Sequence, residues 1–352
     1  MSFHFSIEEI LCAAREAGAS DVHLAAGLPP RMRVNGKLVT MSYPGVRASD
    51  ALDILVHVMS QAQRESFEEK GEYDFSFSVP GCGRCRANAY RQKGSVAFAL
   101  HLVDTEVPSP EELGMPEAVT ALHERESGLV LVTGPSGSGR SATLAALVNR
   151  INENRAALVI TLEDPIEYVH QHKRAMVNQR EIGQDSRSYA EALRAVLRED
   201  PDVVLVGELR DCESVSAAIT AAETGHLVLA ALHAGGAVNA LELLVEMFPP
   251  HRQEGVRARL ADVLEAVISQ RLIPADKGRR AAAFEVLMAS QTVRSHIRTD
   301  RILQLGDVLN AGAEEGMVSM DEALRRLYVQ GRIDRNTASR YMRDAEGLDS
   351  GR

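Results

Sequence analysis

Cysteine is scarce in this 352-residue chain: Cys12, Cys82, Cys85 and Cys212 are the only four, too few and too scattered for a disulfide framework, and they suit a reducing compartment. Cys82 and Cys85 form a C-x-x-C, but without a second pair or a nearby histidine it falls short of a zinc site and reads as a hairpin turn. No uninterrupted apolar run approaches the roughly 20 residues that span a bilayer, which excludes a transmembrane class. The amino terminus, MSFHFSIEEILCAAREAG, lacks a basic n-region and places Glu8 and Glu9 inside its first apolar stretch. It is expected to form an amphipathic helix rather than a secretion signal, and the protein to be cytoplasmic. Positive charge is in deficit, and the net charge of −10 argues against a nucleic-acid partner, because gripping a phosphate backbone depends on clustered Lys and Arg. Tandem repeats and low-complexity tails are missing as well.

What is present has a globular balance, 45% hydrophobic and 25% charged, over a length that allows two or three domains with cores of their own. Residues 1–103 read as short strands: SDVHL (20–24), RMRVNGKL (31–38), DFSFSV (74–79), CRANAYR (85–91) and SVAFALHLV (95–103). Turns at Asn35-Gly36 and Pro80-Gly81 separate them as in antiparallel hairpins, and a helix is expected around 48–68. This is a small α+β domain with one sheet face covered. The proline-rich, acidic stretch 104–116, DTEVPSPEELGMP, is the expected linker.

From 117 to 290 apolar strands alternate with helices: GLVLVTG (128–134), AALVITLEDP (156–165), VVLVGE (203–208) and HLVLAAL (226–232), with helices from about 140, near 187–199 and near 212–223. Alternation of this kind predicts an α/β domain, a parallel sheet wrapped by helices. Beyond about 236 the chain is expected to be mostly helical. Residues 291–352 form a C-terminal helical region in which 317–342 read as two amphipathic helices joined around Gly331.

The strand GLVLVT runs into GPSGSGRS and an alanine-rich helix, the context that a phosphate-binding loop requires. Gly134, Pro135, Ser136, Gly137, Ser138 and Gly139 form the loop. Arg140, Ser141 and Ala142 open the helix. The glycines let successive backbone N–H groups turn toward phosphate oxygens, and the helix N-terminus adds its positive dipole end. Ser141 is the candidate Mg2+ ligand. Arg140 stands where such loops carry lysine, and its planar guanidinium is a wider group than a compact ammonium, so weaker binding or slow turnover is an open alternative.

Glu163 and Asp164 end the second strand, where ligands collect in open α/β sheets; they are candidates for ordering magnesium or water, or one of them caps the following turn. Glu208 ends the third buried strand, the usual place for polarising an attacking water or holding the metal. His226 and His233 flank LVLAAL, and a strand of that length separates them by roughly 23 Å, so they cannot share one metal. Either is a candidate γ-phosphate sensor, and either could be structural. In GRCRANAYRQKG (83–94), Arg84 and Arg86 lie two residues apart on one strand face and are candidates for neutralising transition-state charge, with a solvated edge as the alternative.

Taken together these stretches resemble the PilT family, the hexameric retraction ATPases of bacterial type IV pili within the secretion-ATPase superfamily. The resemblance runs through ASDVHLAAGLPPRMRVNGKL, GEYDFSFSVPG, the phosphate loop, TLEDPIEYVH, NQREIGQD, LREDPDVVLVGELRD and TGHLVLAALHAGGA. It implies a PAS-like first domain and a RecA-like second one, with ATP and Mg2+ bound between them and arginines supplied from the first. It makes Glu208 the Walker B glutamate, Glu163 and Asp164 the acidic box, and His226 and His233 the histidine box. It also implies a homo-hexamer, or one mixed with a paralogue, that works beneath an inner-membrane pilus platform protein. The chain departs from the family pattern at Arg140, at Ala234 in place of threonine, at His296 in place of leucine within TVRSHIRT (292–299), and at Lys93 in place of arginine. Assembly ATPases carry an extra N-terminal region and often a four-cysteine module, which points this chain to the retraction branch. The alternative, motivated by Arg140, is a weakly or non-hydrolysing accessory subunit beside an active paralogue.

Overall fold

The computed structural model describes residues 6–103, 106–275 and 280–344. The first five residues of the expected N-terminal helix, and Asp104 and Thr105 of the expected linker, lie outside the described residues. The chain divides into two compact units, one running to Glu106 and including Pro165–Val169, the other comprising Val107–Asp164 and the chain from His170 onward.

The first unit contains α1 (Ile7–Glu16), β1 (Ala19–Ala25), β2 (Arg31–Val34), β3 (Lys37–Thr40), α2 (Ala48–Val58), α3 (Gln61–Lys70), β4 (Glu72–Val79), β5 (Gly83–Gln92) and β6 (Ser95–Leu102). Ser6 starts α1 by accepting from the Glu8 and Glu9 amides. At the β2–β3 turn both Asn35 (φ 49°) and Gly36 (φ 78°) are left-handed, the backbone that a tight two-residue hairpin demands. The six strands form one antiparallel sheet in the order β3-β2-β1-β6-β5-β4. Its core joins Ile10 and Leu11 of α1 and Phe67 of α3 to Phe98 and Leu100 of β6. The single helix expected over 48–68 is two, because Ser60 turns extended and caps α3, its hydroxyl accepting from the Gln63 amide while the Gln63 side chain accepts from the Ser60 amide.

The cysteines also correct the sequence reading. Cys12 of α1 and Cys82 of the β4–β5 turn, 70 residues apart in sequence, are joined as a disulfide with their Cα atoms 5.2 Å apart. Cys85, the other half of the C-x-x-C, is a free, buried thiol whose pKa burial pushes up to about 12. Spacing along the chain could not reveal that pair; packing of α1 against the hairpin creates it.

The second unit begins with α4 (Pro110–Leu113) and α5 (Glu117–Thr120). Then come β7 (Gly128–Thr133), α6 (Arg140–Asn154), β8 (Leu158–Glu163), β9 (Met176–Glu181), α7 (Tyr189–Val196), β10 (Val203–Val206), α8 (Cys212–Glu223) and β11 (Leu227–Leu232). The chain continues through α9 (Ala237–Glu246), α10 (Pro250–Val263), β12 (Leu264–Pro274), β13 (Arg280–Met288), α11 (Gln291–Arg298), α12 (Leu305–Ala311), α13 (Met320–Val329) and α14 (Arg335–Tyr341). The sheet order is β13-β12-β7-β11-β10-β8-β9, parallel from β12 to β9, with β13 antiparallel at one edge.

Both faces of this sheet are buried, so its central strands run through successive buried, largely apolar positions rather than alternating ones. Leu129 and Leu131 of β7 face a layer that includes α8, α9 and α10. Val130 and Val132 face the opposite layer, where Leu144 and Leu147 of α6 and Leu324 of α13 pack. The described residues after 236 are mostly helical, as expected, but β12 and β13 are two strands within them that the sequence does not announce. Leu264, the C-cap of α10, is already extended (φ −63°, ψ 131°), so strand follows helix with no turn residue to mark the change. Strand β9 was also not anticipated.

Leu131 is fully buried in the sheet's centre. Leu131→Ala is expected to destabilise the protein by about 2–5 kcal/mol in urea denaturation; a loss under about 1 kcal/mol would mean that the α8–α10 layer does not close over β7.

Candidate active site

The loop between β7 and α6 takes its shape from tight packing beneath it. A Cβ on Gly134 would lie 2.5 Å from the Gln270 carbonyl oxygen and would also collide with Ser138 Oγ, so only glycine fits. Gly139, at φ 90°, is the N-cap of α6 and offers no side chain to its first turn. A glycine N-cap leaves room for an oxyanion to approach the helix N-terminus, which suits the turn to an anion's oxygens. Arg140 and Ser141 open the helix, both half-buried, whereas Pro135, Ser136 and Gly137 are exposed and Ser138 is buried. Thr143 in the next turn donates to Gln270 Oε1 at 2.6 Å, tying α6 to β12. These features fit a nucleotide's phosphates, and Ser141 offers a hydroxyl in the first turn of α6.

Parallel pairing brings the acidic residues to the same edge. Glu163 is the last residue of β8, and Glu208 stands two residues beyond β10, its neighbouring strand. Glu163 Oε1 accepts from Thr161 Oγ1 at 2.6 Å and from Gln179 Nε2 at 3.0 Å. Gln179 lies on β9, and its Oε1 accepts from the His170 amide at 2.8 Å, so the unanticipated strand supplies the residue that orients Glu163.

Arg210 was also missed. Its Nε donates to Glu208 Oε2 at 2.6 Å and its Nη1 to Asp164 Oδ2 at 3.1 Å, while its guanidinium carbon lies 5.8 Å from the centre of the Tyr189 ring. The hydrogen bond from Arg210 to Glu208, reinforced by both carboxylates, raises the guanidinium's pKa above its ordinary value. Burial, with Asp164 next in effect, raises that of the Tyr189 hydroxyl. One cation thus bridges two of the predicted acidic residues. The adjacent string ELRD was the available signal, but nothing in it tells which carboxylate the arginine would reach.

The two histidines separate. His233 follows β11 directly and is exposed at the loop edge, where Leu232 pairs with Thr133, the residue before Gly134. His226 precedes β11 at the opposite edge, about 23 Å away along the strand. Its Nδ1 lies 2.9 Å from the Ala221 carbonyl, which can only accept, and its own carbonyl accepts from the Gly128 amide at 3.1 Å. The structure therefore does not bring His226 together with the loop of its own chain, and His226 secures the turn between α8 and β11 instead. Arg84 and Arg86 lie in the first unit on one face of β5, opposite the buried Cys85, Ala87 and Ala89, as their spacing predicted. Arg86 is exposed and Arg84 half-buried.

Among the described residues no helix is long and apolar enough to cross a membrane. Residues 4–300 match the family described as Type II/IV secretion system protein. The type IV pilus retraction ATPase PilT of Pseudomonas aeruginosa is 42% identical over 332 residues, covering 94% of this chain and 96% of that protein. A twitching motility protein of Neisseria gonorrhoeae is 42% identical over 320 residues, 91% of this chain and 86% of its own. The crystal structure of the pilus retraction motor PilT with bound ADP superimposes with a TM-score of 0.89 at 43% identity, covering 98% of this chain and 99% of that one.

Burial pushes the pKa of His170, next to the Glu163–Gln179 pair, down to about 4, and the charge of Lys173 acts in the same direction. Since the folded value lies below the unfolded one of roughly 6.5, the unfolded chain takes up the proton first; stability is full above about 6.5 and falls as pH drops toward 4. His170→Gln is expected to flatten the decline of Tm between about pH 6.5 and pH 4. An unchanged slope would show that His170 is not buried in its neutral form.

Proposed function

The chain belongs to the Type II/IV secretion system protein family, and from that premise we propose that it is a hexameric motor that hydrolyses ATP to retract type IV pili. The observation that carries the reading is convergence at one sheet edge: the β7–α6 loop, Glu163, Asp164, Glu208 and His233 all emerge there. In this reading Gly134 to Gly139 wrap the phosphates with backbone amides, and Arg140, Ser141 and Ala142 start the helix whose dipole faces them. Ser141 would hold Mg2+ through its hydroxyl, and the ion would supply charge neutralisation for the phosphates.

Water attacks the γ-phosphorus as the bond to the ADP oxygen breaks, and Glu208 accepts the water's proton, leaving ADP and inorganic phosphate. Arg210 holds the Glu208 carboxylate in one orientation. Glu163 and Asp164 would order water and the metal ion at this edge, and His233 is the histidine placed to sense the γ-phosphate. Arg84 and Arg86 neutralise the transition-state charge. The first unit is read as the PAS-like domain and the second as the RecA-like one, with the C-terminal helices continuing from it. The pilus platform is the expected partner of the hexamer, placing the motor on the cytoplasmic side of the inner membrane. Similarity to a retraction ATPase over 94% of the chain gives the accessory-subunit alternative no advantage, and positive charge is retained at Arg140.

Purified wild-type protein is expected to hydrolyse ATP in a steady-state phosphate-release assay, and Glu208→Gln to lower kcat by at least about 100-fold while ADP still binds. Glu208→Gln turning over at the wild-type rate would remove Glu208 from the proton transfer. An inert wild type that gains activity on Arg140→Lys would overturn the motor reading in favour of an accessory subunit.

A further inference from the structure

Four residues stand in one cross-strand row at the loop edge of the second unit's sheet: Leu232 pairs with Thr133, Thr133 with Ser269, and Ser269 with Glu285. Three of them are polar, and all three are buried, Thr133 at 0%, Ser269 at 1% and Glu285 at 7% exposure. Polar groups buried at the end of an apolar sheet persist only when they are hydrogen-bonded, so their partners identify what they are for. Each binds the main chain of one segment, the loop that leads from His233 into α9. Thr133 Oγ1 donates to the Ala234 carbonyl at 2.7 Å and lies 3.2 Å from the Ala234 amide. Ser269 Oγ accepts from the Gly236 amide at 3.1 Å, and Glu285 Oε1 from the Ala237 amide at 2.7 Å. The loop thus crosses β7, β12 and β13 in turn, fixed once on each strand.

Gln270, the next residue of β12, necessarily faces the other layer. It is 1% exposed, accepts from Thr143 Oγ1 of α6, and its Nε2 would lie 2.9 Å from a Cβ on Gly139. One dipeptide of β12 therefore touches both halves of the site, Ser269 on the His233 side and Gln270 on the phosphate-loop side.

We propose that β12 positions the two halves of the site separately: Gln270 sets the phosphate loop and with it nucleotide affinity, while Ser269, together with Thr133 and Glu285, sets the His233 loop and with it the turnover step. This rests on the reading of the chain as an ATP hydrolase. None of these residues has to touch substrate; each acts through the backbone it holds. Loss of one such buried hydrogen bond leaves an amide or carbonyl without its partner, enough to change the affected parameter by about tenfold.

The test uses the full chain, with fluorescent ADP titration for affinity, steady-state hydrolysis for kcat and KM, and amide hydrogen exchange over residues 233–237. Ser269→Ala and Glu285→Leu are expected to lower kcat by about tenfold, to leave ADP affinity within about twofold, and to accelerate exchange at Ala234, Gly236 and Ala237. Gln270→Leu is expected to do the reverse, weakening ADP binding by about tenfold with exchange in that loop unchanged. Glu285→Gln keeps an acceptor oxygen and should restore both kcat and slow exchange. Ser269→Thr keeps the hydroxyl and serves as a second rescue should Ser269→Ala not fold. A wild type without turnover would overturn the hydrolase reading alone, and exchange with ADP affinity would still decide the inference. Affinity and loop exchange changing together in both variants, or in neither, would overturn it.

Discussion

The in-register parallel pairing of β7, β11, β10 and β8 is the constraint on which the rest depends. Parallel strands end at a common edge, and here Leu131, Ala230, Val206 and Leu162 lie level with one another across four strands. A one-residue slip in any of them would turn its whole set of side chains into the opposite layer. Both layers are filled with buried aliphatic groups, so no such slip is available. Glu163, Glu208, His233 and the phosphate loop then leave the sheet at one edge as a consequence of packing. Chemistry at the edge depends on apolar burial at the centre.

Electrostatics at that edge is balanced locally. Glu163, Asp164 and Glu208 bring three carboxylates to adjacent strand ends, and their mutual repulsion would splay them if nothing intervened. Arg210 intervenes for two of them, with Tyr189 beneath its guanidinium, and Gln179 with Thr161 orients the third through neutral donors. The result is an acidic group fixed in orientation without being buried. That combination suits a carboxylate that must accept a proton and then release it.

Much of this was legible in the chain itself. Strand, glycine loop and helix follow one another so closely in GLVLVTGPSGSGRS that the local structure has few alternatives, and β7 and α6 lie where the pattern put them. The hairpins of the first unit were equally readable from Asn35-Gly36 and from alternation in DFSFSV. What escaped was whatever depends on tertiary pairing. LEAVISQRLIP becomes a strand because β7 and β13 flank it, and its alanine, glutamate and glutamine do not separate strand from buried helix. The reach of Arg210 to Asp164, the bond from Gln179 to Glu163 and the Cys12–Cys82 pair join segments distant in sequence, so no local spacing encodes them. The histidines show the same limit: their separation was readable from strand length, but which edge faced the loop was settled by β11 lying between β7 and β10.

The adjacency of Ser269 and Gln270 bears on how sequences of this kind can change over time. Substitution within β12 alters one contact, but inserting or deleting a single residue within its regularly paired stretch, Ala266 to Ser269, exchanges which of the two faces α6 and which faces the loop after His233. Both halves of the site would lose their anchors at once. The irregularity between Leu264 and Ala266 is the place where a change of length can be absorbed, so the spacing from Ala266 to Ser269 is the part that should stay fixed even where its residues are free to vary.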